Sequence, residues 1–288
     1  MKWTVSIAAV AVIALLVRTL LLWLAELGSS SLRSQYQAEV RRQQDLLALA
    51  GDLPARVISE ADLAKLPPAI ATFLKRAGVV GKPRPRSVHA VFRAQMRNGP
   101  GDRWMEATAE QHSFYGPAGS ARLFLMRATR LGLPFVAYHR YVGDAATFQV
   151  RAAGLVTVIN AHGPQMNQSE TVTMLNDMFF LAPGALLDAD IRWETRPDGR
   201  VKAIFSNAGQ TVSAVVSFDG AGDLRDFVST DRYQSDGKVY KLLPWSTPVE
   251  DFRDFGGIRL ARKGEARWRD PAGEWAYAQF LIEGITYA

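Results

Sequence analysis

The stretch HGPQMNQSETVTMLNDMFF, His162 to Phe180, decides how this chain folds. It begins as a dense cluster of Asn, Gln, Ser and Glu and ends apolar, which fits either a polar site or the start of a helix. The spacing favours the helix. Asn167 or Ser169 stands where a side-chain oxygen caps the first backbone amides, and Glu170 can reach back to the cap and complement the helix dipole. Val172, Met174, Leu175, Met178, Phe179 and Leu181 then make a wide apolar stripe, with Thr171, Thr173 and Asp177 on the polar side. The Ala-Pro-Gly at 182–184 stops the helix. A catalytic role for Glu170 or His162 is the weaker reading.

On both sides of this helix the period changes from helical to two. In SVHAVFRAQM (87–96), Val88, Ala90, Phe92, Ala94 and Met96 alternate with His89, Arg93 and Gln95. Further strands follow, separated by Gly-, Asp- and Asn-rich turns: RWMEATAEQHSFY, ARLFLMRATR, PFVAYHRYV and ATFQVRAAG before the helix, and DIRWETR, RVKAIFS, QTVSAVVSF, DLRDFVSTDRYQ, KVYKLLPW, IRLARKGEARWR and EWAYAQFLIEGITYA after it. These predict roughly eleven strands joined as antiparallel neighbours. In the second run Val201, Ala203, Phe205, Val212, Ala214, Val216, Phe218, Ile258, Leu260, Ala266 and Trp268 can face the helix, while Arg259, Lys263, Glu265, Arg267 and Arg269 face away. The predicted fold is α+β: one large curved antiparallel sheet, a half-barrel, with helices on its concave face.

Upstream, SEADLAKLPPAIATFLKRAG (59–78) carries a capping box at Ser59 and Asp62, a restart at Pro67 and Pro68, and Gly78 as a stop. Leu32–Ala50 reads as a charged helix with sparse apolar positions at Tyr36, Val40 and Leu47. Before it, Trp3–Ala25 holds one charge, Arg18, in a segment that as a helix is about 34 Å long, enough for a hydrocarbon core of about 30 Å. Trp23 stands where a signal-peptide cleavage site needs a small residue, so an uncleaved anchor is the better reading. The predicted organisation is a transmembrane anchor over 1–27, a helical tether over 28–58 and the half-barrel over 59–288. Lys2 on one flank against Arg33, Arg41 and Arg42 on the other narrowly favours a cytoplasmic C-terminal domain by charge alone.

The chain has 34 Lys and Arg against 28 Asp and Glu, a net charge of +6, and no cysteine. The missing thiols exclude disulfides, thiolate zinc sites and cysteine nucleophiles. The arginines are scattered singly along strands, as solvated strand faces require, and no nucleic-acid motif is present. No GxSxG, HExxH, P-loop or dinucleotide fingerprint occurs, so no cofactor or metal is expected. One strand face joins Glu106, Glu110 and His112, residue types suited to acid–base work or a metal. Successive members stand about 7 Å apart along a strand, so His89 or His139 from neighbouring strands would have to help. The simpler reading is a polar strand face with satisfied cross-strand pairs.

LPPAIATFL, RWMEATAEQHSFY, AAGLVTVINAHGP with its helix and LAPGALL, PWSTPVEDFRDFGGIRLARKGEARW and GEWAYAQFLIEGITYA together resemble an uncharacterised bacterial family of membrane-anchored proteins, a domain of unknown function. The resemblance runs from Leu66 to the C-terminus. The order of elements is also similar to the lipoprotein-carrier half-barrel of the LolA and LolB type. That likeness implies a domain on the outer side of the cytoplasmic membrane, with acyl chains held between sheet and helices. The function expected is a single-pass, membrane-tethered, non-catalytic module that binds a lipid or other apolar ligand on walls including Phe92, Met96, Met174, Met178, Phe179, Phe205, Trp268 and Tyr277. A fully packed interior with no cavity of a few hundred Å³ would reject this reading. The alternatives are an envelope hydrolase using Glu106, Glu110 and His112, and a structural envelope protein whose hollow is filled core.

Overall fold

The computed structural model describes residue 10 and residues 30–49, 56–116, 120–130, 132–235 and 238–288. Six strands come first: β1 (Ser87–Met96), β2 (Met105–Phe114), β3 (Ala121–Arg130), β4 (Leu133–Val142), β5 (Ala145–Ala152) and β6 (Val156–His162). After the long helix come β7 (Ile191–Thr195), β8 (Val201–Asn207), β9 (Gln210–Phe218), β10 (Leu224–Ser229), β11 (Tyr233–Ser235), β12 (Tyr240–Leu242), β13 (Trp245–Ser246), β14 (Val249–Phe255), β15 (Ile258–Asp270) and β16 (Gly273–Tyr287). The helices are α1 (Leu32–Leu49), α2 (Glu60–Leu63), α3 (Pro68–Ala77) and α4 (Pro164–Leu181).

Fourteen strands form one antiparallel sheet in the order β6-β5-β4-β3-β2-β1-β16-β15-β13-β10-β9-β8-β7, with β14 paired to β15; β11 and β12 make a separate ribbon. The strands exceed the eleven expected because the two-residue and three-residue pieces, β11 to β13, are too short to show a period, and because β6 and VEDFRDF as β14 bury too few side chains to show a clear one. The period-2 reading of the longer strands holds. Val201, Ala203, Phe205, Val212, Ala214, Val216, Ile258, Leu260, Ala266 and Trp268 are all buried, and Phe218 is half-buried. Turn chemistry fixes the registers. Gly256 and Gly257, at φ 67° and 83°, make the two-residue link from Phe255 to Ile258 that type I′ hairpins require.

Chain order explains the shape. Consecutive strands run outward from β1 to β6 at one rim and return inward from β7 at the opposite rim, so α4 must carry the chain from rim to rim. At 18 residues it is about 27 Å long. It touches β5 and β6 on one wing, β9 and β10 on the other and β15 between them. A sheet that meets one helix with both wings is curled around it. The first and last strands close the centre: β1 pairs with β16, with Val88 opposite Tyr287 and Met96 opposite Ala278.

α2 begins with the expected capping box of Ser59 and Asp62, and α3 runs from Pro68 to the left-handed Gly78. Ile70, Phe73, Leu74 and Ala77 are buried, and Phe73 packs against Phe179 of α4 and Phe218 of β9. α1 departs from the expectation that the helices occupy the concave side. Leu32, Tyr36 and Val40 pack with Leu123, Leu125, Val136 and Tyr138. These strand residues alternate with Phe124 and Ala137 of the inner core, so α1 lies on the outer face. β3 is therefore buried on both faces from Ala121 to Met126, as a strand covered from both sides must be.

None of the helices among the described residues is long and apolar enough to cross a membrane. The anchor expected over Trp3–Ala25 falls, Val10 apart, outside the described residues.

Candidate functional site

α4 does not start as its sequence suggested. Gly163, at φ 97°, is the N-cap, Pro164 opens the first turn and no side chain caps it. Asn167 instead accepts from the Ala146 amide at 2.8 Å and donates to the Asp144 carbonyl at 2.6 Å. Ser169 accepts from the Tyr233 amide at 3.0 Å, holding the β11–β12 ribbon over the helix. Every residue from Ser169 to Leu181 is buried. The polar stripe of Glu170, Thr173 and Asp177 thus faces the sheet rather than solvent, because the curled sheet surrounds the helix. The apolar stripe faces the opposite wing, where Phe179 packs on Trp193 and Phe227.

Where the polar stripe meets β2, β3 and β4, four strand side chains answer it. Arg122 donates from Nε to Asp177 Oδ2 at 2.6 Å, from Nη1 to Glu170 Oε2 at 2.9 Å and from Nη2 to Gln111 Oε1 at 3.2 Å. Gln111 Nε2 donates to the same Asp177 oxygen at 2.8 Å. His139 Nδ1 lies 2.9 Å from Glu170 Oε1, and its ring stacks on Phe148 at 3.9 Å. Tyr141 and Thr171 share a hydrogen bond of 2.7 Å beside them. The side chain of Glu170 is 0% exposed. Burial pushes its carboxyl up, but His139 and Arg122 outweigh burial and hold it down at about 2. Burial depresses His139 despite the neighbouring carboxylate. Neutral His139 therefore donates from Nδ1 to an ionised Glu170 at neutral pH.

This network floors a cavity of about 130 Å³. Phe92, Met96, Phe124, Phe148, Tyr277 and Phe280 make its apolar walls, and Arg232, Trp245 and Thr247 close another side. Of the residues expected to line the hollow, Phe92, Met96 and Tyr277 do so. Met174, Met178, Phe179, Phe205 and Trp268 lie in the buried core instead, because α4 turns its apolar stripe toward close-packed strands. The hollow is also smaller than the few hundred Å³ expected, since Phe92, Phe124 and Phe280 pack edge-on and fill much of it. Arg122, Arg232 and Gln111 were not anticipated. Arg122 had a signal: it shares parity with Phe124 and Met126 on an inward strand face. Arg232, in the link between β10 and β11, had none.

The expected Glu106, Glu110 and His112 constellation does not converge. These side chains point to the outer face, opposite the cavity, because Ala107, Ala109 and Gln111 take the inner positions of β2. Glu106 accepts from Gln95 at 2.5 Å, and Glu110 is 3.8 Å from Arg127. His112 stacks on His89 at 4.1 Å, and its Nδ1 shares a hydrogen bond of 2.7 Å with the Tyr36 hydroxyl, pinning α1. His162 offers its carbonyl to the Tyr240 hydroxyl. Among the described residues no three His, Asp or Glu side chains are arranged to hold a metal ion.

The outer cluster carries a pH prediction. Burial and, second, His89 lower His112 to about 4 from an ordinary 6.5. The folded state takes this proton less readily than the unfolded chain, so the contribution is complete above 6.5 and is lost as pH falls from 6.5 through about 4. The melting midpoint should drop across that window. His112→Gln, whose amide oxygen still accepts from Tyr36 but does not titrate, should drop less steeply. Parallel curves for the two proteins would show that His112 is not the group being titrated.

Fold and cavity together define a half-barrel domain with a helix-filled, partly open hollow. The chain belongs to the family of unknown function DUF6544, whose signature matches residues 56–280. Among solved structures it is similar to an outer membrane lipoprotein-sorting protein domain from Vibrio parahaemolyticus (12% identity, TM-score 0.39, covering 76% of this chain and 90% of that one). It is also similar to a DUF1329 family protein from Desulfovibrio piger (12%, 0.39, 81% and 94%) and a LolA superfamily protein from Nitrosomonas europaea (10%, 0.37, 75% and 92%). No protein of curated function matches the chain.

Proposed function

We propose that this protein is a membrane-tethered binding module that holds one small amphipathic molecule, or a short apolar segment of a larger one, in the hollow between sheet and α4. The observation that carries this reading is a cavity with two kinds of wall. Aromatic and methionine side chains line one part, and a fully buried charged network lines the other. Pockets of this composition bury an apolar body and orient it through a few fixed polar groups. A cavity of about 130 Å³ is near the size that admits one benzene ring, so the ligand segment inside is a ring or a short chain rather than a whole diacyl lipid. Tethering through Trp3–Ala25, on the outer side of the cytoplasmic membrane, completes the proposal. Two features support the tethering, whichever side of the membrane the domain occupies. Arg151 donates to the Ser30 carbonyl at 2.7 Å, and the nearby β5–β6 turn exposes Leu155 and Val156. Ser30, five residues past the apolar segment, is thus near an apolar tip.

Native mass spectrometry of the full chain extracted from its membrane tests this. One retained amphiphile is expected, with at least a tenfold loss in Ala266→Leu, which adds three carbons to the cavity wall. Equal retention by both proteins would place the amphiphile elsewhere, and an empty wild-type protein that binds no small amphiphile would remove the reading.

A catalytic alternative rests on one contact: His139 on Glu170 is the arrangement that orients a general base. It lacks a nucleophile, because Thr173 donates to the Ser169 carbonyl and Thr247 to Asn176. Ester turnover by the wild type that disappears in His139→Gln would favour it.

A further inference from the structure

We propose that the cavity recognises a carboxylate, and that Arg232 is the residue that binds it, so that the ligand is a monocarboxylate with a short apolar body. This rests on the binding-module reading and names its ligand class.

The two arginines at the cavity differ in one respect. Arg122 is saturated: both of its carboxylate partners lie within 2.9 Å. Arg232 is equally inaccessible, at 9% exposure, and lines the same cavity. Yet among the described residues no carboxylate lies within ion-pair distance of it. Its Nε donates to Thr173 Oγ1 at 3.1 Å. Its guanidinium lies 4.5 Å from the Trp245 ring and 5.1 Å from the Trp268 ring. Two indoles compensate part of the desolvation and Glu170 attracts the guanidinium at longer range, but a buried cation without a contacting carboxylate is costly. Cation–π contacts act through the faces of the guanidinium and leave its edge donors available. With Nε occupied, Nη1 and Nη2 remain as a planar fork, the geometry that takes a carboxylate bidentately.

The rest of the wall fits this assignment. Glu170 and Asp177 are already committed to Arg122, and Glu265 to Arg267 at 2.7 Å and Gln279 at 2.9 Å. None of them is free to serve Arg232. A carboxylate on Arg232 would direct its apolar body toward Phe92, Tyr277 and Phe280 across the cavity. A ligand cation would meet the two indoles with Arg232 already on them. An uncharged ligand would leave the guanidinium as it is now.

Titration calorimetry on the full chain in nanodiscs tests the proposal with 3-phenylpropionate, its alcohol 3-phenylpropan-1-ol and its amine 3-phenylpropylamine. The ring matches the cavity and the three probes differ only at the head. The carboxylate should bind about 30-fold more tightly than the alcohol, the value of one charge-assisted pair. Arg232→Gln should remove the carboxylate's advantage over the alcohol, and Arg232→Lys should fall between. Side-chain nitrogen NMR of the wild type gives the same answer without a variant: the Arg232 Nη signals should move on adding the carboxylate and stay still on adding the alcohol. Equal affinity for the carboxylate and the alcohol, or unmoved Arg232 signals, overturns the carboxylate assignment and leaves the binding module standing. Failure of all three probes to bind overturns both.

Discussion

Arg122→Met should cost about 3–5 kcal/mol of stability, the usual consequence of removing one partner from a buried ion cluster. At about 2–4 °C per kcal/mol for a domain of this size, the melting midpoint falls by roughly 6–20 °C. Methionine fits the space and leaves Glu170 and Asp177 buried without their guanidinium. The loss comes from those orphaned charges, so the triple variant Arg122→Met, Glu170→Gln, Asp177→Asn should recover much of it. Lower pH should also narrow the gap between Arg122→Met and wild type. Without Arg122 the Glu170 carboxyl, still held down by His139, takes up a proton at a higher pH than in the wild type, where it stays ionised down to about 2. Arg93→Met is the control. Its partner Glu283 is exposed, and such pairs contribute at most about 1 kcal/mol. Chemical denaturation of the four proteins checks the scheme. Equal stability of Arg122→Met and the triple variant would mean that the orphaned charges are not the source of the loss.

Truncation after Ala272 should abolish cooperative folding. The removed segment is β16, which stands at the middle of the sheet and pairs with β1 on one side and β15 on the other. It supplies the buried Ala278 and Ile282, the Tyr277 hydroxyl that accepts from Trp245, and the Tyr287 hydroxyl that donates to the Leu181 carbonyl at the end of α4. Its loss separates the two wings along their shared seam, and α4 alone cannot hold them. Near-ultraviolet circular dichroism and a thermal scan decide the matter. A truncated chain with native-like aromatic signals and a sharp transition would show that the wings hold without the seam.

Sequence made the strands legible where one face is buried and the other is not, as in Ser87–Met96 or Val201–Asn207, but not at β6 or β14, which are as long as Val201–Asn207 and bury few side chains. It did so because burial on one face imposes the period directly. The seam between β1 and β16 has no local signature; it follows from strand order, which is a property of the whole chain. The existence of α4 was readable from its apolar stripe, but its surroundings were not. Amphipathic reasoning assumes that one side of a helix meets water, and a helix enclosed by a curled sheet violates that assumption. Glu170 and Asp177 therefore read as a capping residue and a solvated one. Their partner Arg122 lies 48 and 55 residues earlier. The outer docking of α1 was half visible, in the spacing of Tyr36 and Val40 and in the double apolar parity of ARLFLM. Arg232 sits in an irregular link where no period operates, and only the packed structure brings it to Trp245 and Trp268.

A sheet that curls without closing keeps two free rims, and these are not alike. β7 ends its side with Arg192, Glu194 and Thr195, charged and polar groups that discourage a foreign strand. β6 ends the other with Val156 and Val158 exposed, and among the described residues nothing pairs beyond it. At high concentration, self-association by strand addition has one favoured address on this molecule, and a lysine at position 158 would be the economical way to close it.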